Sequence, residues 1–143
     1  MLCATCKPPD YLARQRLADL FLDTLPYNAH TTASHALWAG LPVLTTMGGT
    51  FAGRVAASLL HAVGLPELVT VSLADYQALA LKLGRDRGAL AALKAKLARN
   101  LGTHPLFDTA RFTRALEGGY GTMAERSVLG QAPQSFAVAG SCP

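Results

Sequence analysis

At 143 residues the chain is long enough for one hydrophobic core and too short for a complete two-domain enzyme. Half of its residues are hydrophobic, as in a globular body, yet no apolar run approaches the ~20 residues that a bilayer span requires, which excludes a membrane-spanning helix. The formal net charge of +4 is modest, and seven of the thirteen Lys and Arg residues are spread between Arg85 and Arg114 along helical faces; this reads as a solvated surface in preference to a nucleic-acid patch.

The first eight residues are too few and too polar for a secretory signal, so the expected location is the cytoplasm. Cys3 and Cys6 form a C-x-x-C pair, but zinc requires four ligands and no second pair or suitably spaced His pair follows. A redox pair would stand between a strand and a helix, whereas this one precedes any convincing strand. Cys142 does not change that reading, and no metal site is expected.

In chain order, residues 11–18 read as a short helix with Leu12 turned inward, and residues 20–23 as a short buried strand. A helix over 31–39 follows, stopped by Gly40 and Pro42, and then a strand over 43–45 that leads into the loop Thr46, Met47, Gly48, Gly49. Thr50 is placed to cap a helix over 51–63, in which Val55, Leu59, Leu60 and Val63 recur at helical spacing. Residues 68–71 read as a third strand. Ser72 caps a helix that runs through Leu83 to a stop at Gly84, and the Ala-, Leu- and Lys-rich stretch 86–100 is a strong helix former. After Pro105 a last helix covers 109–124, weakened by Gly118, Gly119 and Gly121 at roughly 1 kcal/mol each. Residues 127–143 hold Gly, Pro, Ser and Gln without periodicity and read as a disordered tail behind a domain over 8–126.

Short strands alternating with helices imply an α/β fold with a parallel sheet, right-handed crossovers and a ligand beyond the carboxyl ends of the strands. Two polar loops leave strands at that edge, over 27–32 and 47–54. The first opens a helix whose leading N–H groups have no partner inside the helix and lie at the positive end of its dipole. With the hydroxyls of Thr31 and Thr32 beside them, these donors can hold a phosphate without a lysine. The plainer alternative stays open: Gly48 and Gly49 permit a tight turn, and His30 caps a helix.

The run LADLFLDTLPYNAHTTAS over 17–34, followed by ALWAGLPVLT over 36–45, resembles the nucleotide-sugar-binding core of the protein O-N-acetylglucosaminyltransferases and their bacterial and SPINDLY-like relatives. GTFAGRVAASLL over 49–60, GLPEL over 64–68 and PLFDTARF over 105–112 continue the likeness in order, so that it covers 8–126. The resemblance implies a partial Rossmann-like sheet, the later part of the C-terminal half of a GT-B glycosyltransferase. No repeat of about 34 residues, the period of helical protein-recognition repeats, is present.

The resemblance further implies that His30, Thr31 and Thr32 hold the diphosphate of a UDP-sugar. Arg14 then lies near the nucleotide, while Gly49, Thr50 and Arg54 belong to a second loop that meets the sugar or closes the cleft. Arg54 would organise that loop through its five donors. Two positions depart from the pattern. His35 stands where the family has an Asp for the ribose hydroxyls, in first turns of the helix where its dipole favours an acid, and Tyr11 stands where many members have a His near the uracil. The family's catalytic histidines and phosphate lysine belong to sequence upstream of the matching region, so no catalytic residue is expected here, and helix-end donors replace a metal. Two readings follow: a UDP-sugar-binding portion of an enzyme that glycosylates protein Ser or Thr, inactive alone, or a non-catalytic remnant that serves as an assembly module or homo-oligomer.

Overall fold

The computed structural model describes residues 7–138, so Cys3, Cys6 and Cys142 lie outside the described residues. It consists of two units, one up to Leu106 and one from Phe107 onward. In the first, helix α1 (Pro8–Gln15) precedes strand β1 (Phe21–Leu22), helix α2 (Thr31–Trp38), strand β2 (Val43–Thr46) and helix α3 (Val55–Ala62). Strand β3 (Val69–Thr70), helix α4 (Leu73–Arg85) and helix α5 (Arg87–Asn100) complete it. The second unit holds helix α6 (Thr109–Val128).

The three strands are parallel in the order β1-β2-β3, with Phe21 opposite Val43, Leu22 opposite Leu44, Thr45 opposite Val69 and Thr46 opposite Thr70. Strand β2 is central and every one of its residues is buried, as a parallel strand covered on both faces must be. Helix α2 packs on α3 and β2. The small Ala33 and Ala36 of α2 and Ala56 and Ala57 of α3 are buried in a core whose largest members are Leu37, Leu44, Leu60, Leu65, Leu68 and Leu97. Both helices end on a glycine in the left-handed region, Gly40 at φ 84° and Gly64 at φ 74°, where the next residue's N–H returns to Ala36 or Leu60. Gly64 also faces the Asn100 amide, which donates to the Val63 carbonyl at 2.8 Å and ties α5 to the end of α3.

Several boundaries differ from those read in the sequence. Helix α1 starts at Pro8 because Pro8 and Pro9 occupy a first turn, where the missing N–H costs nothing, and it stops at Gln15 instead of reaching Ala18. Thr50 does not cap α3. Its hydroxyl accepts the Gly53 N–H at 3.1 Å, a separate turn forms, and the helix begins only at Val55. Gly84 does not end α4, which runs to Arg85; Asp86 closes α4 with its own N–H and caps α5 with its carboxylate. Two surface ion pairs among the described residues, Lys94 with Asp19 and Lys96 with Glu67, fasten α5 at 2.7 Å each. The hydrogen bond and charge of Lys94 hold the Asp19 carboxyl below its ordinary value.

In the second unit α6 passes through Gly118, Gly119 and Gly121 and ends at Val128, four residues beyond the expected limit. The glycines make room. Gly119 is buried, and a Cβ there would meet a Val138 methyl at 3.4 Å. Residues 131–138 have no regular structure but run back along α6, held by Arg126, whose guanidinium donates to the Ala132 carbonyl at 3.1 Å and to the Gln134 side chain at 3.0 Å. Residues 127 and 128 are therefore helical and not part of a tail.

Candidate functional site

The chain leaves β1 into a loop whose shape is set by Asp23, a buried carboxylate. One of its oxygens accepts the N–H of Thr24 at 2.8 Å and that of Ala29 at 2.7 Å; the other accepts the Thr45 hydroxyl of β2 at 2.7 Å. The Tyr76 hydroxyl of α4 donates to the Asp23 carbonyl at 2.8 Å. Burial first, then the nearby Asp23 charge, push the Tyr76 hydroxyl above its ordinary pKa, so it remains a donor at neutral pH. Asn28 is buried inside the loop and donates from its amide to the Thr24 carbonyl at 3.0 Å.

The loop delivers His30 to the N-cap of α2. Among the described residues no side chain caps that end, so the leading N–H groups of α2 are left for a ligand or water. By contrast Ser72, Asp86 and Asp108 cap α4, α5 and α6 with their own oxygens. The His30 ring stacks on Tyr27 with centroids 4.9 Å apart and meets Phe51 edge-on at 6.1 Å. Its Nε2 lies 3.3 Å from the Ala52 carbonyl, and since a carbonyl only accepts, Nε2 carries the hydrogen. A pocket of about 610 Å³ opens here, walled by Tyr11, Phe21, Asp23 and the run from Tyr27 to Thr32. Thr31 and Thr32 are exposed on its rim.

The second loop abuts the first. The Ala52 carbonyl takes both the Asn28 N–H, at 3.1 Å, and the His30 ring. Gly48 and Gly53 cross so closely that a Cβ on Gly53 would come within 3.2 Å of the Gly48 Cα. The Arg54 guanidinium donates to the Gly49 carbonyl and closes the loop from outside. Gly49, Thr50 and Arg54 do not line the pocket of His30; Arg54 and Phe51 instead flank a separate groove of about 420 Å³ along α3.

Of the other residues picked from the sequence, Arg14 is exposed on α1 and outside the pocket lining, which α1 reaches with Tyr11. His35 packs edge-on against Tyr11, centroids 5.6 Å apart, so the two departures from the family pattern touch each other. Because α2 has only eight residues, His35 stands in its last turn and not its first, at the end whose dipole disfavours an acid. Sequence reasoning misses Asp23, Asn28 and Tyr76 as site residues. The available signal is an acidic residue that ends an apolar strand just ahead of a helix start.

Residues 3–116 match glycosyl transferase family 41. The chain is 40% identical over 130 residues to the probable UDP-N-acetylglucosamine–peptide N-acetylglucosaminyltransferase SEC of Arabidopsis thaliana, covering 90% of this chain and 13% of that protein. It is 38% identical over 117 residues to the UDP-N-acetylglucosamine–peptide N-acetylglucosaminyltransferase of Caenorhabditis elegans, covering 82% of this chain and 10% of that one. The solved O-GlcNAc transferase mutant K341M of Thermobaculum terrenum superposes with a TM-score of 0.79 at 43% identity, over 85% of this chain and 24% of that structure. The chain thus spans a small part of the length of its relatives. Among the described residues no helix is long and apolar enough to cross a membrane. The parallel sheet, the order of its motifs and these matches agree, and the chain belongs to glycosyl transferase family 41.

Proposed function

We propose that this chain forms the donor-diphosphate wall of a nucleotide-sugar cleft in a cytoplasmic protein O-glycosyltransferase, with UDP-N-acetylglucosamine as donor and a Ser or Thr of a protein as acceptor. One observation carries the reading: in a chain of this family, the uncapped start of α2 opens on the pocket with the Thr31 and Thr32 hydroxyls beside its free N–H groups. Donors of this kind meet the charge of a diphosphate as it binds and as it leaves, which makes the site independent of a metal.

Transfer also requires an acceptor hydroxyl held in line with the anomeric carbon, and one wall of a cleft does not provide that. The isolated chain is therefore expected to bind UDP in titration calorimetry while moving no sugar from UDP-N-acetylglucosamine to a Ser/Thr peptide in a radiolabel assay. Transfer well above background would overturn the binding-only reading, and absence of UDP binding would remove the diphosphate site. A non-catalytic assembly module is the second reading, favoured by the outer edge of β1, which no strand pairs with among the described residues and where Leu22 is 54% exposed. Dimers in light scattering together with no affinity for UDP would select it.

His35→Asp tests the nucleoside end. A carboxylate accepts both ribose hydroxyls, each bond worth on the order of 1 kcal/mol, and repulsion from the diphosphate removes part of that gain. UDP is expected to bind about fivefold tighter. Loss of the Tyr11 contact and the unfavourable dipole at this end of α2 should lower stability by about 1 kcal/mol, read from thermal melts.

A further inference from the structure

Asp23 is 5% exposed, and no Lys, Arg or His forms an ion pair with it among the described residues. A carboxylate so placed is tolerated only where hydrogen bonds replace its lost hydration. Those bonds come from three donors in different parts of the fold: the Thr24 and Ala29 N–H groups of the loop and the Thr45 hydroxyl of β2. Thr45 is fully buried in the central strand, and Tyr76 anchors the Asp23 backbone from α4, so the carboxylate is fixed by the sheet on one side. On the other side it fixes Ala29, the residue directly before the His30 cap.

We propose that Asp23 is the positioning residue of the diphosphate site: by gripping the Ala29 N–H at 2.7 Å it aims the free N–H groups and hydroxyls of Thr31 and Thr32 into the pocket. The inference rests on the diphosphate reading above. Asp23 acts through the peptide ahead of the helix, and its negative charge, solvated but not neutralised by the three donors, repels a phosphate and so does not itself help binding. Geometry is therefore what matters. Asp23→Asn keeps it, since the amide oxygen can accept both loop N–H groups while the amide nitrogen donates to the Thr45 hydroxyl. Asp23→Glu keeps the charge but pushes the oxygens one methylene further and breaks the grip.

The test titrates UDP and, separately, inorganic pyrophosphate into the native chain, Asp23→Asn, Asp23→Glu and Thr45→Val, and follows the amide resonances of Ala29, His30, Thr31 and Thr32. Asp23→Glu is expected to weaken both ligands about tenfold or more and to shift the four resonances, with Asp23→Asn within about threefold of native and Thr45→Val between the two. Thr45→Val, which leaves the carboxylate and loop sequence intact, carries the test if Asp23→Glu does not fold. Native affinity and unmoved resonances in Asp23→Glu and Thr45→Val would overturn the proposal. So would an Asp23→Asn loss as large as or larger than that of Asp23→Glu, because removing the charge with the geometry kept would then matter at least as much as moving the oxygens with the charge kept. If the native chain binds neither ligand, the diphosphate reading fails by itself, and the resonances still decide whether Asp23 sets the start of α2.

Discussion

Replacing Thr31 and Thr32 together by valine is expected to weaken UDP binding by about 100-fold, the largest effect of any conservative change at the site. Each hydroxyl donates to a charged phosphate oxygen in the proposed complex, and such bonds are worth about 1.5–3 kcal/mol apiece. Valine keeps the β-branched shape and the backbone N–H groups, so binding weakens without vanishing. Both residues are exposed, and stability should stay within about 0.5 kcal/mol of native. Calorimetric titration beside a thermal melt separates the two quantities. An unchanged dissociation constant would mean that the diphosphate does not sit at the start of α2.

Leu37→Ala has the largest expected effect on the fold. Leu37 is completely buried on α2, against α3 and the central strand. Its truncation removes the transfer free energy of the deleted carbons and leaves a cavity that close-packed neighbours fill only in part, a loss of about 2–5 kcal/mol. That is a large share of the roughly 5–15 kcal/mol that holds a domain together. The melting temperature should fall by on the order of 10 °C. A drop of only a degree or two would show that α2 settles into the space left by the deleted carbons, and that its packing against α3 is looser than the structure indicates.

The sequence by itself determined the class of the fold and the order of its elements, because those rest on local chemistry. The apolar runs at Val43 and Leu44, the helical spacing of Val55, Leu59 and Leu60, and the cap at Ser72 are each legible within a few residues. It also located the start of α2, where polar residues follow a strand and precede a helix. Tertiary structure decided everything that joins distant segments. The fate of Thr50 depended on the crossing of Gly48 and Gly53, a contact that stops α3 from starting where its propensity allows. Gly118 and Gly119 read as helix-weakening and proved to be the space in which Val138 sits. His35 read as a first-turn residue, but a helix of eight residues put it in the last turn and against Tyr11. Asp23 carries only the faint local mark of an acidic residue ending an apolar strand, and its role is not written there, since its partners Thr45 and Tyr76 lie 22 and 53 residues away. A buried carboxylate becomes tolerable only once the sheet and α4 have brought those donors to it, and no window of sequence contains that information.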